Sequence, residues 1–374
     1  MNNSEYYISQ IKAEIKYFPK TISYFFSKKK RAIYIGCIGQ GNLGDEAVYL
    51  AIQKLLQEKV YIYPISYTKP SSGRYLRNWL FKKPDLIILG GGTIIKKKKT
   101  ESYLRLFYEY HNRFPDAKLA VYGAGVADPA LAAEIGFPTD VSNWSIILNK
   151  CCFIGVRGKL SQSILQNDWN ITSEINILQD PALYFKRKKL ISKRNEKRIG
   201  INFCNIIGRI YGLDQTAVEL FALELVNKLI EEGWNIFLYP TTQSDMPYMQ
   251  KILGPKLLSK LEVYNDFENI DKSLSFLESL DVFIGQRLHS IIFSAVSYTP
   301  FHAIEYESKT SDFLGSLGMM NVSTRTDKLD VNEVMLKVNF LYGDLENKQM
   351  ELFELVRIAY EEQISISKKL LNKL

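Results

Sequence analysis

Arg287 and His289 stand one residue apart in Asp281-Val-Phe-Ile-Gly285-Gln-Arg287-Leu-His289, and the apolar run Ser290–Val296 follows at once. An apolar strand, a glycine and two cationic donors at a helix start make a concentrated anion site. The helix N-terminus already presents unpaired N–H groups that favour negative charge. The chain has only three histidines, so one at this position is informative. Arg287 offers bidentate contact to phosphate or carboxylate, and His289 can bind or move a proton near neutral pH. Lys309, in Glu305-Tyr306-Glu307-Ser308-Lys309, would project beside the neighbouring strand end as a third charge on the same anion. His302 lies inside a strand pattern and reads as core; His111 reads as surface.

A second group of residues sits at glycine turns. Gly36-Cys-Ile-Gly39-Gln-Gly41-Asn42-Leu-Gly44-Asp45-Glu46 contains a formal G-x-G-x-x-G between a strand and a helix. The dinucleotide reading fails, because no acidic residue ends the second strand and Asp45 and Glu46 open the helix where a pyrophosphate would sit. Asp45 then has two readings: a helix cap worth on the order of 1 kcal/mol, or a base for a substrate hydroxyl. Gly90-Gly91-Gly92 and Gly123-Ala-Gly125 also follow apolar strands. Three such turns are expected to bring bare backbone amides to one sheet edge and to suit an oxygen-rich ligand such as a sugar. The expected acceptor wall is therefore Gly41, Asn42, Asp45, Glu46, Gly91, Gly92 and Gly125. Arg157, in Gly155-Val-Arg157-Gly158, is a cation at a helix start, where the dipole disfavours it, and so hints at a bound anion. Asp180-Pro181 reads as a rigid strand exit.

The elements that must position these residues are legible as two series of short apolar runs alternating with helical patterns. The first series is Ala32–Ile38, Val60–Ser66, Asp85–Leu89, Lys118–Tyr122, Cys152–Val156 and Ile175–Leu178. The second is Arg198–Phe203, Trp234–Tyr239, Leu261–Tyr264, Asp281–Ile284 and Pro300–Ile304, with helices over Gln215–Glu232, Asp271–Leu280, Arg287–Val296 and Lys309–Leu317. The fold class is α/β: two doubly wound Rossmann-like domains facing across a cleft, with ligands beyond the carboxyl ends of the strands. Residues 31–185 and 198–326 form the two domains, the charged tract Lys186–Arg198 links them, and residues 327–374 are C-terminal helices.

Of the bulk properties, charge is the most informative. The net charge is +8, and residues 1–31 carry seven Lys/Arg against Glu5 and Glu14, a net of +5, interleaved with aromatics. This basic amphipathic segment, residues 1–30, reads as a helix packed on the body or as contact with an anionic membrane surface. No binding motif accompanies the charge, so no nucleic acid is expected. No apolar run is long enough to span a bilayer and no secretory signal is present, which points to the cytoplasm. Cys37, Cys151, Cys152 and Cys204 lack metal spacing and read as four buried thiols; no metal is expected.

These turns, in their order and spacing, resemble the polysaccharide pyruvyl transferase family. The resemblance runs from about Ile35 to Gly318 on Gly41-Asn-Leu-Gly44-Asp45-Glu46, Gly90–Gly92, Gly155-Val-Arg157, Asp180-Pro-Ala182, Arg287-Leu-His289 and Tyr306…Lys309. It implies a glycosyltransferase-B-like fold and transfer of pyruvate from phosphoenolpyruvate, a co-substrate, to two hydroxyls of a sugar as a cyclic ketal, with no cofactor. Positions matching Arg157, Arg287, His289 and Lys309 would hold the donor. His289 and Asp45 would be catalytic. The acceptor would be a glycan, also in its undecaprenyl-diphosphate-linked form, met peripherally at the inner face of the plasma membrane. Arg157-Gly158 departs from the family, where an acidic residue more often follows the arginine, and residues 1–30 lie outside the shared core. A nucleotide-sugar glycosyltransferase of the same fold, with Glu305 or Glu307 toward the ribose, and a non-catalytic glycan-binding module are the competing readings.

Overall fold

A computed structural model describes residues 15, 18–39, 41–66, 83–96, 103–188, 196–206 and 210–374. Residues 1–14 and 16–17 of the basic segment, and 189–195 of the charged linker, lie outside the described residues, as does Gln40. Within the described part of the segment, residues 18–26 are helical.

The chain forms two compact units. The first contains residues 1–40, 48–181 and 362–374; the second contains residues 41–47 and 182–361. The unit boundaries therefore differ from a simple split at the linker. Residues 41–47, with Asn42 and Asp45, group with the second unit, and residues 362–374 return to the first.

The first unit is built on strands β1 (Lys30–Gly36), β2 (Val60–Ser66), β3 (Leu86–Gly90), β4 (Thr93–Ile95), β5 (Lys118–Val126), β6 (Phe153–Val156) and β7 (Ile175–Ile177). They lie in the order β2-β1-β3-β5-β6-β7, with β4 paired to β5, and all pairs are parallel. Runs such as Leu86-Ile-Ile-Leu89 are wholly buried, as expected of parallel strands covered on both faces. Strand order reverses between β1 and β3, the switch point of a doubly wound sheet.

The second unit has β8 (Arg198–Asn202), β9 (Asn235–Leu238), β10 (Glu262–Val263), β11 (Val282–Gly285), β12 (Phe301–Glu305) and β13 (Ser323–Arg325). Their order is β10-β9-β8-β11-β12-β13, again all parallel, with the switch point between β8 and β11. The helix Gln215–Glu231 covers one face with Val218, Phe221, Leu225 and Leu229 buried, and the Asp214 carboxylate caps its start on Ala217 N. Its apolar stripe packs into the same core as Ile199, Ile201, Ile236 and Val282.

Several elements depart from the sequence-based expectation. Strand β5 continues through Gly123 and Gly125, which were expected as a turn beyond it. Its later part pairs with β4, a strand the sequence analysis did not expect. Helix Asp245–Leu258 was also not expected; Pro247 and the Gly254-Pro255 kink hide it. None of the four cysteines forms a disulfide; Cys151 and Cys204 are buried while Cys37 and Cys152 are half-buried, not buried as expected.

Candidate functional site

The arrangement around Arg287 is built on the second sheet's switch point. Asn202, the last residue of β8, accepts a hydrogen bond from Arg287 N at 3.0 Å through its side chain, and its own carbonyl accepts from Gln286 N at 2.9 Å. Gln286 is fully buried, and its Oε1 accepts from Cys204 N at 2.8 Å. These bonds tie the turn after β11 to the turn after β8. Arg287 adopts extended backbone at the N-cap of helix Leu288–Val296, and its side chain makes no capping bond there.

The guanidinium is held by the turn after β9. Arg287 Nε donates to Asp245 Oδ1 at 2.7 Å, and Nη2 lies 2.6 Å from the same oxygen. Nη2 also reaches Thr242 Oγ1 at 3.3 Å. Asp245 is fully buried and further accepts from Thr241 N at 2.9 Å and Thr242 N at 3.1 Å. Such a carboxylate is a fixed anchor rather than a mobile counter-ion. Burial works against the charge of Arg287, but the Cys204 thiol and the Asp245 carboxylate outweigh it and raise its pKa. None of these bonds uses Nη1. The hydroxyls and carboxylate of the Thr241–Asp245 turn thus orient Arg287.

His289 sits on the first turn of the same helix, and Gly44 packs against it. A Cβ built on Gly44 would lie 2.1 Å from His289 Cγ and Nδ1. Only glycine lets the backbone approach this closely. The segment is fixed by a bond from Leu43 N to Thr241 O at 3.0 Å and by an antiparallel bridge between Asn42 and Thr242. Asp45 is the next residue along, at the start of helix Leu43–Leu56. The cap reading of Asp45 is corrected here: the Asn42 side chain accepts from Gly44 N at 2.9 Å and Asp45 N at 3.4 Å, so Asn42 caps this helix and Asp45 stands in its first turn with Glu46.

Lys309 opens helix Lys309–Leu317 after β12. Its ammonium lies 2.6 Å from Glu307 Oε1 and 4.4 Å from the Tyr306 ring centroid. Burial disfavours the lysine charge, yet Glu307 and Tyr306 hold its pKa above the ordinary value. Burial pushes the Cys204 thiol up to about 12 despite the opposing fields of Arg287 and Lys309. Both cations are thus near the same buried sulfur, and the second unit gathers Arg287, His289 and Lys309.

Arg157 belongs to the first unit, where it is 1% exposed. Its Nε lies 2.8 Å from Oδ2 of the fully buried Asp180. The anion beside Arg157 is therefore the chain's own Asp180, the residue that sequence reading assigned to a strand exit. The glycines of this unit serve the sheet. Gly91 N donates to Tyr122 O at 3.3 Å and Gly125 N to Gly92 O at 2.8 Å, so neither amide is bare as expected. Gly91 and Gly92 have left-handed φ of 71° and 67°. His302 is buried in β12 and bonds Thr324 Oγ1 at 2.9 Å, as its core reading expected.

The family model for polysaccharide pyruvyl transferase matches residues 42–308, well over half of the chain; the match includes Arg287 and His289 and ends one residue before Lys309. The chain belongs to the polysaccharide pyruvyl transferase family. Among curated proteins, the amylovoran biosynthesis protein AmsJ of Erwinia amylovora is 26% identical over 162 residues. That alignment covers 41% of this chain and 38% of AmsJ, so the chain spans well under half the length of this relative. Solved structures share the fold. A glycosyltransferase from Rickettsia africae superposes with a TM-score of 0.55 at 12% identity, over 92% of this chain and 98% of that one. An alpha-glucosyltransferase solved with UDP and DNA gives 0.53 at 9% identity, over 91% and 100%. A UDP-GlcNAc 2-epimerase from Neisseria meningitidis gives 0.51 at 13%, over 90% and 100%. The fold of the chain is of the glycosyltransferase-B type, with two parallel Rossmann-like sheets. Among the described residues no helix is long and apolar enough to cross a membrane.

Proposed function

We propose that this chain moves the pyruvyl group of phosphoenolpyruvate onto two hydroxyls of a sugar, in a cell-surface polysaccharide or its lipid-linked precursor. The observation that carries the reading is the grouping of Arg287, His289 and Lys309 at one sheet edge in a chain of this family. Phosphoenolpyruvate bears a phosphate and a carboxylate on three carbons and needs several fixed cations. Arg287, oriented by Asp245, binds one group through its remaining edge, and Lys309 supplies a point charge. In this reading Arg157 serves the first unit through Asp180 rather than the donor.

His289 delivers a proton to the methylene carbon, leaving an oxocarbenium centre. An acceptor hydroxyl adds to that centre as Asp45, beside Gly44, takes its proton. Phosphate then departs with the C–O electron pair, and the neighbouring hydroxyl closes the ring and releases its own proton. The products are ketal and inorganic phosphate. The glycan side is proposed to meet Asn42 and Glu46. The basic residues 1–31 support contact with the inner face of an anionic membrane.

Thermal unfolding with phosphoenolpyruvate or a nucleotide sugar tests the reading. At a donor concentration one hundredfold above Kd, wild type should gain about 2.7 kcal/mol, and Arg287→Ala should gain little. Stabilisation by the nucleotide sugar alone would sink the proposal. Asp45→Asn should abolish turnover while leaving the phosphoenolpyruvate response intact; collapse of both would make Asp45 structural.

A further inference from the structure

A cavity in the second unit has a chemistry of its own. It opens beside the edge strand β13, has a volume of about 300 Å³, and is bordered by Glu305, Ser311, Leu314, Arg325 and Lys328 among others. That volume is at the low end of small-molecule sites, roughly 300–1,000 Å³. Glu305 ends β12, the strand from which Lys309 also follows, and is 4% exposed. Ser311 Oγ donates to its Oε1, and Ser323 Oγ donates to its Oε2 at 3.1 Å. The two carboxylate oxygens together offer about four acceptor sites, so capacity remains toward the cavity. Burial raises the pKa of Glu305, and the two serine hydroxyls oppose that rise. A hydroxyl donor from a ligand would favour the carboxylate further.

The surroundings select the ligand class. Arg325 is engaged by Asp327 through two bonds of 2.9 and 2.8 Å and lies 3.9 Å over the Tyr211 ring. Its Nε and Nη2 are therefore committed to Asp327, and the Arg325 and Lys328 cations bordering the cavity are matched by the Glu305 and Glu333 carboxylates, so the lining offers no net positive charge to a phosphate. A metal ion is no better served. Among the described residues no group of three His, Cys, Asp or Glu side chains could hold one. What remains is a neutral molecule rich in hydroxyls, with C–H faces to lie on Leu314 and Met320.

We propose that this cavity is a subsite for one sugar residue of the acceptor glycan, whose neighbouring hydroxyls donate to the Glu305 carboxylate. The proposal rests on the transferase reading for its choice of a glycan. It adds a further acceptor contact within the second unit, which also holds residues 41–47 and the donor cations.

Saturation-transfer NMR with a panel of neutral methyl glycosides tests it, using wild type, Glu305→Gln and Met320→Trp. The glutamine variant keeps the side-chain shape; the tryptophan variant fills the cavity from an exposed position and changes no polar group. At least one glycoside should bind wild type, and both variants should weaken it by about tenfold or more. Phosphoenolpyruvate affinity, followed by thermal shift, should be unchanged in both. Glycoside binding indifferent to both variants, or absent from wild type, overturns the subsite while leaving the donor reading standing. Glycoside binding through Glu305 with no response to phosphoenolpyruvate supports the subsite and removes the donor reading. A third arm uses uridine 5′-diphosphate: if its binding, and not that of a glycoside, is lost in Glu305→Gln, the hydroxyls belong to a ribose and the proposal fails.

Discussion

At Gly44 a methyl group would stand 2.1 Å from the imidazole of His289. The atoms it meets are the ring's root, which a rotation cannot clear, so either His289 or the helix start must move. Gly44→Ala is expected to cost about 1–3 kcal/mol as an overpacked site and to lower turnover well beyond that loss of folded protein. Denaturant unfolding and steady-state kinetics at a temperature where both proteins are folded measure the two effects. Arg157 makes the opposite case, a charged residue whose importance lies in packing. Removing its guanidinium takes the cation from beside the buried Asp180 carboxylate, so Arg157→Ala should destabilise the fold by about 3–5 kcal/mol. A variant as stable as wild type that has lost phosphoenolpyruvate binding would return Arg157 to the donor site.

Strand β12 joins two different functions on its two faces. His302 points to Thr324 on one face, whereas Glu305 meets Ser323 on the other. Burial lowers the His302 pKa to about 4, with Lys337 adding to the effect. Between that value and the ordinary 6.5, the unfolded chain binds a proton that the folded chain refuses. The stability due to neutral His302 is therefore present above about pH 6.5 and lost as pH falls toward 4, on the order of 3 kcal/mol in all. His302→Gln should flatten that part of the stability curve; equal acid sensitivity in both proteins would show that other groups govern it. Most strands and the helices at both Arg287 and Lys309 were legible from the sequence, because apolar runs and glycine turns repeat at the spacing of crossover units. The partners of the cations were not. Asp245 lies in a helix disguised by Pro247 and Gly254-Pro255, and Asp180 is brought to Arg157 by the parallel pairing of β6 with β7, which no local pattern announces. β13 was missed because Ser-Thr-Arg carries no apolar signal.

On the scale of the whole molecule, the chain passes from the first unit to the second and returns. Residues 362–374 belong to the first unit. Gln363 donates to Asp180 O at 2.8 Å, Ser367 bonds Tyr122 OH, and Lys369 reaches Asn176 Oδ1 at 2.8 Å and Glu174 at 3.0 Å. Deleting residues 362–374 should therefore loosen the first unit, exposing β5 to β7 to limited proteolysis while leaving the 182–361 region protected. Uniform protection would show that this return segment is dispensable.

That returning segment also sets an order of events during synthesis. Domains ordinarily fold in turn as they leave the ribosome, the N-terminal one first. Here the first unit lacks its closing piece until the entire second unit has emerged, so a stalled or prematurely terminated chain would carry a complete second unit beside an unfinished first one. A translation error late in the message would thus be felt in the first unit, beside the Arg157–Asp180 pair.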